Sequence, residues 1–410
     1  MKLLHDLVLA TLSIASVAYC DGVLLHKPTG PYYVTHTQHV FNHTTLDDFT
    51  APNGTGIGTI LLASIFAPTE SVPNQTVPYM DDTNAEIWSS TFGFPRGSLS
   101  TLVTELQWQA PFLSGPGFAN GTSPYPTLIF MPGAGLASFA YTAYLSELAS
   151  HGYSVIAIDH PGEPPYLELP YNLGGVRSDY PPLSSYTWTV AQLQSIYAHR
   201  VADASALLSD AYLPSLVRAH GLPINLTHIG IFGHSIGGAG SAGVLAQNPG
   251  VLAGANLDGW LFFDIWDLYG NGSARTKPYP DLAPRPFLEL ARDDPAGPDA
   301  TWTNFSVAQS GWLRDVGVRG ALHFDFSDVP LWVDLLEQRD GPPGRFNASN
   351  FLGGIDGRRV TEVVNTFLKG FFGYVSGGEL EAVDGLVKEV PEAYVRESQD
   401  VAEVYVDRGL

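Results

Sequence analysis

The chain has 410 residues, 45% of them hydrophobic and 15% charged, which is enough apolar sequence to fill a large core and too much for a disordered chain. Against 20 Lys and Arg stand 41 Asp and Glu, a formal net charge of −21. A surface that acidic repels the phosphates of DNA, RNA and anionic lipid, so nucleic-acid binding is excluded.

Lys2 is the only Lys or Arg before an apolar run over residues 7–15, and Ser16-Val17-Ala18 offers signal peptidase small residues at the right spacing. Residues 1–18 therefore read as a signal peptide. Asn-x-Ser/Thr occurs at Asn42, Asn53, Asn74, Asn120, Asn225, Asn271, Asn304 and Asn347, eight of the fourteen Asn residues, where chance gives about two. That excess predicts a secreted eukaryotic glycoprotein. The single Cys20 precludes an internal disulfide and a zinc-thiolate site. The uncharged residues 121–146 contain Pro126, Pro132, Gly133 and Gly135 and do not read as a membrane span.

Residues 19–375 read as one domain. Turn formers and sequons dominate 21–57, and 57–66 reads as an edge strand. A strand is predicted over 127–131 with a helix over 137–150, then a strand over 154–158. The long helix of 186–216 carries one apolar stripe through Val190, Leu193, Tyr197, Val201, Ala204, Leu208 and Tyr212. Strands over 228–232 and 251–256 flank a helix over 236–247, strands over 286–290 and 318–322 follow, and a helix over 360–372 closes the domain. Residues 376–410 read as an acidic C-terminal surface tail. Short apolar strands alternating with helices predict an α/β fold with a mostly parallel sheet covered on both faces.

The strongest chemical signal is Gly233-His234-Ser235-Ile236-Gly237, placed between a strand and a helix rich in small residues. A serine at such a turn takes a strained backbone that exposes its hydroxyl, and the flanking glycines remove Cβ atoms that would collide. Its hydroxyl needs a base, which in this topology comes later in the chain. Of twelve histidines only His323 lies beyond His234. The carboxylate that orients it should fall between them, at Asp258 or at Asp293 or Asp294, each ending a predicted strand. Oxyanion donors are expected from the backbone N–H of Ile236 and of Ala134 in Pro132-Gly133-Ala134-Gly135. The same loop is not a nucleotide-binding one, since Ser138 stands where a third glycine is needed.

Four stretches resemble, in order, the motifs of the platelet-activating-factor acetylhydrolase family. They are Phe130-Met131-Pro132-Gly133-Ala134-Gly135 with Ala149-Ser150-His151-Gly152-Tyr153, the elbow itself, Leu257-Asp258-Gly259-Trp260-Leu261-Phe262, and Gly320-Ala321-Leu322-His323. Pro28-Thr29-Gly30-Pro31-Tyr32 is similar to the family's opening, so the likeness spans about residues 29–374. It implies a secreted, fungal-type α/β-hydrolase that removes short sn-2 acyl groups from phospholipids without calcium, and it places the triad acid at Asp258. Pro132 departs from the family's usual histidine, and residues 376–410 have no counterpart in it.

The other readings are a carboxylesterase or cutinase-like hydrolase of small or polymeric esters, and a catalytically inactive binding glycoprotein. Trp260 and Phe262, which follow the acid, are candidates for the substrate pocket or a transient lipid-surface contact. His36, His39 and His43 have metal-like spacing but no carboxylate or cysteine joins them at ligand spacing. No metal, cofactor or obligate protein partner is implied; the expected ligand is a small-molecule or lipid ester.

Overall fold

The computed structural model describes residues 22–115, 118, 124–261, 279–294, 300–339 and 351–400. Among them the main sheet has ten strands: β1 Tyr33–Leu46, β2 Ile57–Thr69, β3 Gln107–Trp108, β4 Thr127–Met131, β5 Ser154–Asp159, β6 Ile229–His234, β7 Val251–Leu257, β8 Phe287–Ala291, β9 Leu313–Val318 and β10 Ala393–Gln399. Their order in space is β10-β9-β8-β7-β6-β4-β5-β2-β1-β3. From β9 across to β5 every neighbouring pair is parallel, which is the expected mostly parallel core.

Helices α1 Asp82–Phe92, α2 Thr142–Ser150, α3 Val190–Leu208, α4 Leu213–His220, α5 Ile236–Gln247, α6 Ala300–Val307, α7 Val329–Leu335, α8 Gly357–Phe372 and α9 Glu381–Glu389 accompany it. Every residue of β4, β5 and β6 is buried, as continuous apolar runs require when both faces are covered. Side chains alternate between faces. Leu128 and Phe130 join one core with Trp88 of α1, Tyr144 of α2, Trp332 of α7 and Phe367 of α8. Ile129 and Met131 join another with Ile196 and Val201 of α3 and Leu245 of α5. No described helix is long and apolar enough to cross a membrane.

Five sequence expectations are corrected. Residues 57–66 belong to an interior strand, β2, paired antiparallel with β1 on one side and β5 on the other. The turn-rich stretch before it contains the 14-residue β1; its buried positions include Thr35 and Thr37, which form strands readily but give no apolar alternation. The long helix is two, because the Thr189–Gln192 capping box fixes the start of α3 and Pro214 opens α4 after a break. The late strand sits at Leu313–Val318 rather than 318–322. Arg314 and Asp315 hide it from an apolar pattern, yet both are buried.

Their counter-charges come from the segment read as a tail. Arg314 bonds Asp384 at 2.7 Å and Asp400 at 2.6 Å, and buried Asp315 lies 3.4 Å from Arg396. β10 pairs antiparallel with β9, and Val383 and Val390 pack into the core. The described part of 376–410 is thus a structural edge of the sheet. A chain ending at Ser376 loses the ion-pair partners that Asp384, Arg396 and Asp400 supply to two buried charges and is expected to melt about 5–10 °C lower or to fail to fold. An unchanged thermal midpoint would contradict that role.

Candidate active site

The turn between β6 and α5 puts Ser235 at φ 56° and ψ −127°, a strained conformation that costs a non-glycine residue about 1–3 kcal/mol. A Cβ on Gly233 would lie 2.4 Å from the Gly237 carbonyl carbon, and one on Gly237 would lie 2.1 Å from the Met131 carbonyl oxygen. Only glycine lets strand and helix meet this closely. The Ser235 N–H donates to the Leu257 carbonyl at 2.8 Å, tying the elbow to β7. The next residue, Asp258, also has positive φ, 53°, and its N–H donates to the Leu290 carbonyl of β8 at 2.8 Å.

His323 begins a short 3-10 turn beyond β9. Its Nε2 lies 3.0 Å from Ser235 Oγ and its Nδ1 2.5 Å from Asp258 Oδ2. The other carboxylate oxygen accepts the Arg292 N–H at 3.0 Å, and Arg292 Nε lies 3.1 Å from Oδ2. Burial alone would push the Asp258 pKa up, but the His323 hydrogen bond and the Arg292 charge together hold it below its usual range. An ionised Asp258 accepts from Nδ1–H, which leaves Nε2 as the acceptor for the serine proton.

The loop after β4 is held from both sides. Gly133 N–H donates to the Tyr141 hydroxyl at 3.0 Å, and Gly135 N–H to Glu163 Oε1 at 3.1 Å. Glu163 in turn pairs with Arg200 at 2.8 Å, both side chains buried. Between these tethers the N–H of Ala134, like that of Ile236 at the start of α5, has no hydrogen-bond partner among the described residues. Both residues line the same cavity as Ser235. The Tyr141 hydroxyl lies 2.7 Å from His234 Nδ1, and His234 Nε2 lies 3.0 Å from the His323 carbonyl oxygen. A carbonyl only accepts, so Nε2 carries the proton and Tyr141 donates to Nδ1. Burial and the neighbouring His323 push the His234 pKa far down, keeping it neutral. His234 thereby links the oxyanion loop to the backbone of the base.

Tyr141 is a positioning residue. Tyr141→Phe removes the acceptor of the Gly133 N–H, and kcat is expected to fall about ten- to a hundredfold with KM nearly unchanged, as when an oxyanion donor is displaced. A raised KM at full kcat would assign it to substrate binding instead.

The cavity over the serine measures about 390 Å³. Leu136, Trp188, Leu193, Tyr186, Trp260 and Phe351 contribute to its walls. Of the residues expected from sequence, Ser235, Asp258 and His323 meet in one hydrogen-bonded chain, Ala134 and Ile236 adjoin it, and Trp260 stands at the cavity 40% exposed. Phe262, Asn120, Asn271 and Asn347 lie outside the described residues. Asn42, Asn53 and Asn74 are exposed and Asn304 is half-buried. Asn225 is only 7% exposed and its amide oxygen accepts from Thr227 and His228, so the folded chain does not present it to a glycosylating enzyme.

Asp293 does other work: it accepts the Gly320 N–H at 2.9 Å and the Tyr394 hydroxyl at 3.3 Å. The three β1 histidines go to separate places, His36 against Phe66 and Trp108, His39 near His220, and His43 onto Asp203. Sequence reasoning missed Tyr141, Glu163, Arg200 and Arg292. One signal was available for two of them, since Glu163 and Arg292 closely follow β5 and β8 at the sheet edge where open α/β sheets bind ligands.

The sequence profile of the Alpha/beta hydrolase family matches residues 128–382, well over half of the chain. The chain belongs to the alpha/beta hydrolase family. Within that family's topology the chain order Ser235, Asp258, His323 and the donor pair formed by the residue after the serine and an earlier loop have their usual places. Among similar proteins is a probable 1-alkyl-2-acetylglycerophosphocholine esterase of Arthroderma benhamiae, 25% identical over 260 residues, which are 63% of this chain and 62% of that protein. A cutinase of Thermobifida alba is 25% identical over 48% of this chain and 64% of its own length. The matched region thus spans less than two thirds of either relative. The structure of a ferulic acid esterase from Streptomyces cinnamoneus superimposes with a TM-score of 0.71 at 23% identity, over 92% of this chain and all of that one, a likeness of fold.

Proposed function

We propose that this alpha/beta hydrolase is a secreted, glycosylated serine esterase. The observation that carries the reading is the hydrogen-bonded chain from Ser235 through His323 to Asp258 at a cavity with two available N–H donors. Ser235 Oγ attacks the ester carbonyl carbon as its proton passes to His323 Nε2. The oxyanion so formed takes the N–H groups of Ala134 and Ile236. His323 then returns the proton to the alcohol oxygen as the C–O bond breaks, leaving an acyl-serine. Water, deprotonated by the same imidazole, releases the acid and restores the serine.

The substrate class we favour is a phospholipid with a short sn-2 acyl group. Support comes from the ordered motif resemblance and from the similar Arthroderma benhamiae protein. The cutinase relative and the exposed Trp260 at the cavity support a second reading, a hydrolase of small or polymeric esters. Secretion rests on the apolar leader of residues 1–18 and the sequon density. Calcium independence rests on the site supplying base, orienting carboxylate and oxyanion donors from its own side chains and backbone.

A panel of a 2-acetyl phospholipid, a simple acetate and a polyester, each with EDTA, tests this. The phospholipid is expected to be hydrolysed fastest, with no loss in chelator. Cleavage of the simple acetate and polyester with the phospholipid untouched would establish the second reading, and loss of activity in EDTA would overturn the metal-free mechanism.

A further inference from the structure

Arg292 has more donors than neutralising Asp258 requires. Its backbone N–H serves one carboxylate oxygen and its Nε the other. A guanidinium carries five N–H donors, so four remain on Nη1 and Nη2, and none of these has a partner among the described residues. The side chain is 33% exposed and lines the cavity over Ser235. Among the described residues lining that cavity Arg292 is the one Lys or Arg, and the one carboxylate, Asp258, is already matched by His323 and Arg292.

Its position decides what such a fork reads. The departing alcohol oxygen takes its proton from His323 Nε2, so the alcohol leaves over His323, away from the oxyanion donors at Ala134 and Ile236. Arg292 Nε and His323 Nδ1 are fastened to the same oxygen, Asp258 Oδ2, at 3.1 Å and 2.5 Å, which puts the guanidinium on the His323 side of the cavity it lines. The guanidinium fork matches the paired oxygens of a phosphate or a carboxylate. A protein of net charge −21 otherwise opposes an anionic substrate, so a preference for one requires a local cation.

We propose that Arg292 forms a leaving-group subsite that selects esters whose alcohol carries an anion, phosphate or carboxylate, a few bonds from the ester oxygen. This rests on the esterase reading above and adds to it the charge of the substrate. A neutral polyester would leave the fork unpaired.

The test uses three short-chain 1-alkyl-2-acetylglycerols that differ only at the third carbon: a methyl phosphodiester, a carboxymethyl ether and a methyl ether. The full chain is expected to favour at least one anionic ester over the neutral one by about tenfold or more in kcat/KM, and which anion is favoured identifies the source. In Arg292→Gln the ratio falls to about one or below, because the acidic field is then unopposed, and Arg292→Lys, a point charge without the fork, lies between. Any effect of these variants on Asp258 lowers all three rates together and cancels in the ratio. A ratio equal in wild type and Arg292→Gln, or a wild-type preference for the neutral ester, would overturn the proposal while leaving the esterase reading intact. Failure of the wild type on all three esters would overturn both.

Discussion

Ser235→Ala and His323→Ala are each expected to lower ester hydrolysis by several decades, on the order of 10⁴–10⁶ in kcat, and the double variant by little more than either single one. The reason is geometric. Serine is a weak nucleophile unless its proton is taken as it attacks, and His323 Nε2, 3.0 Å away, is the one ring nitrogen bonded to Ser235 Oγ among the described residues. Removing either partner stops the same step, so their losses do not add. What survives is the contribution of the N–H donors and of binding, about 10³–10⁴ over water in such sites. Single-turnover and steady-state rates on the purified variants check this, with thermal melts to confirm folding. Near-wild-type turnover in either variant, or losses that multiply in the double variant, would contradict the shared mechanism.

Asp258→Asn is expected to cost about 10⁴ in turnover with the fold retained. The amide can donate to Nδ1, which stabilises the tautomer with the proton on Nε2 and removes the acceptor for the serine proton. Asp293→Asn and Asp294→Asn are expected to cost less than about tenfold, as residues outside the triad do. Asp293 fastens the β9 loop and Tyr394, so its substitution is felt first in the thermal midpoint. Turnover of the three folded variants decides between them. A large loss at Asp293 or Asp294 with Asp258→Asn almost unaffected would show that the orienting carboxylate had been misassigned.

From β4 to β7 the parallel core was legible because its strands are short apolar runs: 127–131 and the helix at 236–247 have the bounds expected from pattern. The serine and histidine were legible by a different route, from local chemistry and chain order. The acid was not settled by pattern, since Asp258, Asp293 and Asp294 all end strands, and motif resemblance was needed to choose. The C-terminal strand was hidden because its partner β9 carries Arg314 and Asp315, whose compensation lies some seventy residues or more away in sequence. The tethers of the oxyanion loop were hidden because no local motif marks them. Tyr141 and Glu163 gain their roles only once the 3-10 turn before α2 and the loop after β5 close around Gly133 and Gly135.

The most direct test of the account is the site of covalent labelling by a fluorophosphonate, which phosphonylates an activated serine, with loss of fluoride, and not an ordinary one. Mass spectrometry of the digested protein should place one adduct on Ser235, absent in Ser235→Ala and slow to form in His323→Ala. An adduct at another residue, or a folded wild type that does not react, would contradict it.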